Sequence, residues 1–337
     1  MKLEFLELPE DERRLYIEQA AIRRNLSPVI LEKDFWVCWL LGILFESEFG
    51  ESIVFKGGTS LSKVFGVISR FSEDIDLSLS PAFLKLPEAG TSRNQANKWM
   101  TKAEAACGAA VLNQIAPVLE ATVAGILGQR VRPWFEYMID PGTNSPVLLF
   151  QYPSTQPAGF EYLKRSVKLE FGSLTDQQPV GRHVVKPWVA EVLPAAFADW
   201  KCVVVALEIE RSFWEKATIL HAEYHRPVNK PTPDRYSRHY ADTAALAMHP
   251  TASKAVNFDE VRGRVVQWKS QFFGNAWANY DQAKPGTFRL LPPRERSPAL
   301  RRDYQAMREM YIAEPESFDQ ILATLAELEK RINGIIT

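Results

Sequence analysis

At 337 residues the chain can bury one large core or two modest ones, and its 40 Lys and Arg against 41 Asp and Glu leave a net charge of −1. That balance excludes nucleic-acid binding by the field of the whole molecule, so any such affinity must come from a local patch. The longest apolar run, Phe35 to Phe45, is far short of the ~20 residues of a membrane span. The acidic, charged amino terminus does not read as a signal peptide, and both facts point to the cytoplasm.

In chain order, Pro9 to Arg24 puts acids first and arginines last, the order that suits a helix dipole. Ser27-Pro28 opens a second helix, Val29 to Phe49, whose Trp36, Val37, Leu40, Leu41 and Leu44 recur at core-facing spacing. Ile53-Val54-Phe55 is a short β-rich run, broken by Gly57-Gly58. Thr59 or Ser60 is placed to cap a helix over Leu61 to Ser69. Asp74, Asp76 and Ser78 then alternate with Ile75, Leu77 and Leu79, which puts both aspartates on one face of a strand.

Carboxylates at i and i+2 lie roughly 6–7 Å apart on a strand and repel by about 2.5 kcal/mol at an effective dielectric of 20. Such a pair suits Mg²⁺, a hard cation that takes one or two carboxylates and leaves its other positions to water and phosphates. Paired glycines let the backbone approach an anion, and free N–H groups at a helix start favour phosphate. Residues 59–73 span one helix and a tight return, which brings turn and carboxylates side by side. Each feature alone is often an ordinary turn or the polar face of an edge strand. Their spacing makes a nucleotide site.

Further on, Ser92 to Arg130 is alanine-rich and helical in period, and Trp134 to Ile139, Val147 to Tyr152 and Ser166 to Phe171 read as a meander extending the sheet. Alternation puts Lys168 and Glu170 on one face of the last of these. Val184 to Leu193 reads as a connector and Cys202 to Leu207 as a buried strand. Ser212 to Glu223 is a helix with Lys216, Leu220 and Glu223 on one face, and a basic, proline-broken loop runs from Tyr224 to Arg235. Ser237 is placed to cap the next helix, in which Arg238 and Asp242 face the same way at i, i+4. Phe258 to Thr337 reads as helical apart from Lys284 to Arg302, whose Arg289, Arg294, Arg296, Arg301 and Arg302 could track a phosphate backbone. Cys38, Cys107 and Cys202 lack metal or redox spacing and are expected to be ordinary thiols.

The run Lys56-Gly57-Gly58-Thr59-Ser60-Leu61, followed by Arg70-Phe71-Ser72-Glu73-Asp74-Ile75-Asp76-Leu77, resembles the nucleotidyltransferase superfamily related to DNA polymerase β. In detail it looks like the AbiEii toxin branch of type IV toxin–antitoxin and abortive-infection (phage-defence) systems. Glu210 to Lys216 with Leu220-His221, and Arg238-His239-Tyr240-Ala241-Asp242, are similar to that family's two carboxy-terminal motifs. Position 239 departs, since better-known branches carry Asp there. The likeness covers roughly Glu32 to Met310.

The resemblance implies an α+β polymerase-β-like core over 51–207, between a helical segment 1–50 and a helical domain 208–337. It implies Mg²⁺ on Asp74 and Asp76, with Glu170 as third metal carboxylate and base, and nucleotide contacts from Lys56, Gly57, Gly58, Thr59, Ser60, Lys168, Lys216 and Arg238. Lys216 and Asp242 would join the catalytic set, and Glu32-Lys33-Asp34 either touches the site or is a solvated helix start. The implied reaction moves a nucleoside monophosphate from a nucleoside triphosphate to RNA, particularly transfer RNA, with a cognate antitoxin encoded nearby and no membrane partner. Two other readings stay open: modification of a protein or small molecule by the same core, and a non-catalytic nucleotide sensor.

Overall fold

The structure is a computed structural model and describes residues 4–72, 74–90, 92–157, 164–198, 200, 202–312 and 314–335. Glu73 of the aspartate motif lies outside them. Two compact units emerge, one made of Met1–Val64, Phe71–Glu88 and Trp99–Ala206, the other of Phe65–Arg70, Ala89–Lys98 and Leu207–Thr337.

The first unit opens with α1 (Glu4–Glu7), α2 (Glu10–Arg24) and α3 (Pro28–Glu46), followed by β1 (Ile53–Lys56), α4 (Gly57–Lys63) and β2 (Ile75–Leu79). Next come α5 (Arg93–Ala110), of which the part from Trp99 belongs to this unit, a π-helical segment Val111–Ile115 and α6 (Ala116–Leu127). Strands β3 (Phe135–Ile139), β4 (Pro146–Phe150), β5 (Val167–Gly172), β6 (Val180–Val185) and β7 (Cys202–Leu207) complete a seven-stranded mixed sheet of order β3-β4-β5-β2-β1-β7-β6. This is the expected mixed sheet with helices, meander included: β3–β4 and β4–β5 are antiparallel.

β2 sits mid-sheet, antiparallel to β1 and parallel to β5. Its Ile75, Leu77 and Leu79 are fully buried, as the alternation required. They join one core with Leu169 and Phe171 of β5, Val204 and Ala206 of β7 and nearly the whole of α3. α3 is apolar all round because it is a core helix. Its Trp36 and Trp39 meet edge to face at 5.3 Å between centroids, and Trp36 stacks on Tyr152 at 5.8 Å. Each such fully buried side chain contributes about 1.5–3 kcal/mol by removal from water. All three cysteines are buried free thiols.

The helical stretch 93–127 is long and apolar enough to cross a membrane by length and composition. One stripe of it, including Cys107, Val111, Ile115, Leu119 and Val123, is buried in the core.

Three expectations need correction in this unit. The helix after the glycines is Gly57–Lys63, not Leu61 to Ser69, so Thr59 and Ser60 lie inside it and neither caps it. Val184 to Leu193 is not all connector, because β6 ends at Val185 and a 3-10 turn spans Trp188–Glu191. Its one-sided burial and Gly181 hid this edge strand from the sequence. The third concerns the Glu32-Lys33-Asp34 run, which is no solvated helix start: all three are buried. Glu32 accepts from the Thr155 N–H (2.6 Å) and the Ser154 hydroxyl (2.5 Å), and Lys33 donates to the Lys164 carbonyl at 3.0 Å. Asp34 pairs with Lys63 of α4 at 2.5 Å and accepts from the Trp188 N–H at 2.7 Å. These groups anchor loops and the end of α4.

The second unit holds α7 (Ile209–Tyr224), α8 (Ser237–Met248), α9 (Asp259–Phe272), α10 (Ser297–Ala306) and α11 (Phe318–Ile332). The segment between α9 and α10 is longer than the loop expected from Lys284, because helical structure stops at Phe272 but for a 3-10 turn at Tyr280–Gln282. Ser237 is not the cap of α8. Asp303 of α10 accepts from the N–H groups of Arg235 (2.6 Å) and Ser237 (2.8 Å), so the helix start is capped from a distant element.

Candidate active site

Register decides what the aspartates face. Asp76 of β2 pairs with Lys56 of β1 on one side and with Glu170 of β5 on the other, so Lys56, Asp76 and Glu170 form one row across three strands. Paired residues share a face at one strand spacing, about 4.8 Å. Ile75 is level with Leu169, which sets Asp74 opposite Lys168 one step back. Asp74, Asp76, Lys168 and Glu170 are all half-buried, alternating with fully buried neighbours.

The glycine turn closes on this row. Gly57 has φ +78°, a left-handed conformation that side chains disfavour, and a Cβ built on it would fall 1.9 Å from Asp76 Oδ2. Only a glycine lets β1 turn into α4 directly over that carboxylate. Ser60 in the same turn of α4 is 1% exposed, and its hydroxyl has no hydrogen-bond partner among the described residues. A buried hydroxyl left without a partner costs about 1–3 kcal/mol. The Lys56 ammonium likewise has no hydrogen bond or ion pair among the described residues. The Thr59 hydroxyl is spent otherwise: it faces the Ser72 hydroxyl at 2.9 Å and donates to the Asp74 carbonyl at 2.5 Å, pinning the loop that delivers β2.

Glu170 is held at both oxygens. Thr143 donates its hydroxyl to Oε1 at 3.0 Å, and the Lys168 ammonium lies 2.6 Å from Oε2. Lys168 reaches Asp140 as well, at 2.9 Å. Partial burial works against the ammonium's charge, but Glu170, Asp140 and the nearby Asp74 outweigh it and push its pKa up. The Lys168 hydrogen bond in turn holds the Asp140 carboxyl down at about 2. As found, then, Lys168 serves two carboxylates.

The donor set of this row suits Mg²⁺ but does not surround it. Asp74 and Asp76 are hard oxygen donors beside a glycine cradle, and Mg²⁺ needs only one or two carboxylates with phosphates and water completing the octahedron. Among the described residues no three Asp, Glu, His or Cys side chains are gathered as a ready metal cluster.

A second charged group lies within the second unit. Arg70 grips Asp242 with two hydrogen bonds of 2.9 Å, and Lys216 reaches the same carboxylate at 2.8 Å. Asp242 is 1% exposed; burial opposes its charge, yet Arg70 and Lys216 hold its pKa well below the usual carboxylate range. The Lys216 pKa is pushed down, first by burial. His239 Nδ1 stands 3.4 Å from the Lys216 ammonium. Burial, Lys216 and Arg238 drive its pKa far below the usual value, so it is a neutral imidazole that can accept from the lysine. Arg238 does not pair with Asp242 as the i, i+4 spacing suggested, and makes no ion pair among the described residues. Arg70 stands in the motif before β2 with no role that its spacing implies, and the fold gives it one, as the partner of Asp242.

The arginine-rich loop is largely spoken for. Arg296 is buried against the Thr232 hydroxyl and the carbonyls of Arg226, Pro227 and Lys230, Arg301 pairs with Asp319, and Arg289 lies 3.5 Å from Glu329. Arg294 and Arg302 remain exposed and without ion pairs among the described residues.

A family model described as the nucleotidyl transferase AbiEii toxin of a type IV toxin–antitoxin system matches residues 39–324. No curated protein matches the chain.

Proposed function

The chain belongs to the AbiEii nucleotidyl transferase toxin family, and from that premise we propose that it transfers a nucleoside monophosphate from a nucleoside triphosphate to a hydroxyl of RNA, in particular transfer RNA, with Mg²⁺. Family membership points to nucleotidyl transfer, a nucleoside triphosphate, a divalent metal and a cognate antitoxin. The metal's identity, the acceptor, a cytoplasmic setting and a part in phage defence belong to our reading.

The observation that carries it is the glycine turn seated on the Asp76 carboxylate, with the Ser60 hydroxyl, which has no partner among the described residues, in the same turn of α4. Asp74 and Asp76, with Glu170, would hold Mg²⁺, and the chemistry it would supply is neutralisation of the triphosphate charge and polarisation of the α-phosphorus. The Gly57-Gly58 backbone and Ser60 bind phosphate oxygens, and the Lys56 ammonium adds positive charge to the same row. Glu170, fixed at both oxygens, is oriented to take the proton of the attacking hydroxyl. Lys216 is a nucleotide contact in this reading, with Asp242 setting its position from a buried carboxylate; Arg238, free of ion pairs among the described residues, is a second cation for phosphate. The nucleophile attacks in line, a new P–O bond forms at the α-phosphorus, and pyrophosphate leaves.

The test is label transfer. The protein is incubated with Mg²⁺, total RNA and each nucleoside triphosphate in turn, labelled at the α- or the γ-phosphate. We expect α-label in RNA of transfer-RNA size, lost in Asp76→Asn, a change that removes one charge from the metal site with almost no change of volume. Alpha-label in protein instead would move the acceptor to a polypeptide. Gamma-label transfer would mean a kinase and overturn the mechanism, and nucleotide binding without any transfer would leave a sensor.

A further inference from the structure

The β3–β4 turn reaches into the candidate site from outside every motif in the sequence. Asp140 follows β3 directly and accepts at Oδ1 from the N–H groups of Gly142 (2.9 Å) and Thr143 (3.2 Å), while the Asn144 N–H donates back to the Asp140 carbonyl at 2.8 Å. The Asn144 amide also donates to Glu104 of α5 at 3.1 Å, which ties the tip of the turn to a helix. From this fixed turn two side chains run to the catalytic row: Asp140 Oδ2 to the Lys168 ammonium, and the Thr143 hydroxyl to Glu170 Oε1.

Lys168 is thereby shared between one carboxylate inside the site, Glu170, and one outside it, Asp140. A lysine bound to Glu170 alone would compete with a divalent cation for Oε2, since both are positive charges seeking the same lone pairs. A second carboxylate lets the ammonium release Glu170 without losing its partner. Thr143 meanwhile keeps Oε1 aimed, so that the carboxylate does not swing away when Oε2 changes hands.

We propose that Asp140 and Thr143 are positioning residues of the β3–β4 turn: Asp140 acts through Lys168 to free Glu170 for a divalent cation, and Thr143 fixes the carboxylate's orientation. The inference rests on Glu170 belonging to the metal site.

The Asn side chain of Asp140→Asn retains an oxygen for the Gly142 and Thr143 N–H groups, so the turn keeps its cap and loses only the charge that held Lys168. Binding of Mn²⁺ alone, without nucleotide, is read by electron paramagnetic resonance in a double-mutant cycle with Lys168→Met, thermal melts being run on every variant. Acting through Lys168, Asp140→Asn weakens Mn²⁺ about fivefold in the wild-type background and less than about twofold beside Lys168→Met, because the cycle isolates the pair. An equal loss in both backgrounds would mean a through-space charge effect and would overturn the proposal, as would no loss at all.

Thr143→Val gives a second reading that changes no charge: weaker Mn²⁺ binding, restored by Thr143→Ser. Val and Ser variants that bind alike remove Thr143 from the role. Glu170→Gln separates the two levels of inference. If it leaves Mn²⁺ affinity unchanged, Glu170 is no metal residue and the premise has failed; if it weakens binding while the cycle is additive, the positioning role alone has failed.

Discussion

At Gly57 the backbone holds φ +78° while Asp76 Oδ2 occupies the space where a side chain would begin. Gly57→Ala therefore carries two costs: about 1–2 kcal/mol for a left-handed non-glycine residue, and displacement of the carboxylate by the new methyl. The first acts on stability and the second on chemistry, where a misplacement of ~1 Å can cost about 100-fold. We expect a variant that still folds, melting a few degrees lower, with nucleotidyl transfer down at least about 100-fold. Melting and label transfer measured on one preparation check this; a folded Gly57→Ala protein with undiminished transfer would separate the turn from the reaction. Thr59 shows how residues that look alike in sequence divide their work. Its hydroxyl is consumed by Ser72 and Asp74, whereas that of Ser60 next to it has no partner among the described residues.

Among the elements, α7 shows how a helix is tied down by groups that a helical wheel does not reveal. His221 on its buried face accepts at Nδ1 from the Arg289 N–H (3.1 Å), so Nε2 carries the proton and donates to the Asn279 carbonyl at 3.0 Å. Both nitrogens are in use, and only the neutral ring fits. Burial, chiefly, lowers its pKa from 6.5 to about 4. As pH falls from 6.5 the unfolded chain takes up a proton that the folded one refuses until about 4, so stability is fully present above the first value and lost across that window. The loss is at most on the order of 3 kcal/mol. Urea unfolding from pH 7 to 4 should show it, and His221→Gln should flatten that slope while lowering stability at pH 7. A variant with the wild-type slope would assign the acid sensitivity to other groups. The β3–β4 turn is the second such element, short in sequence and yet in contact with both Lys168 and Glu170.

Over the whole molecule, 40 basic and 41 acidic residues give no general attraction to RNA. Three of the five arginines of the 284–302 segment are engaged internally, leaving Arg294 and Arg302 exposed. Counterion release gives a slope of about −0.7 per neutralised phosphate on single strands. If these two are the arginines of that segment that meet the backbone, the plot of log affinity against log salt should have a slope of about −1 to −2, against about −3.5 for all five. Filter binding of small RNA from 50 to 200 mM salt, on the order of the usual working range, measures it. A slope near −3.5 or steeper would mean that the internal pairs open on binding.

The sequence by itself determined the strand–glycine–helix–strand unit, the meander, the buried faces of β2 and β5 and the family, because each is written in short-range periodicity and in spacings of one or two elements. It placed the aspartates on one face because strand alternation has no alternative. The tertiary structure decided what those residues meet. Register set Asp76 beside Lys56 and also beside Glu170, the latter in a segment nearly a hundred residues away that no local pattern connects to it. Arg238 and Asp242 show the reverse: helical spacing offered a pair worth a few tenths of a kcal/mol, and the fold gave Asp242 to Arg70 and Lys216 instead. Buried carboxylates go to the partners that best offset their desolvation, and those are chosen by packing rather than by nearness along the chain. Likewise Ser237 lost its expected capping role to Asp303 and most of the loop arginines lost theirs to carbonyls and acids, since polar groups taken out of water must be satisfied by whatever the fold brings within reach.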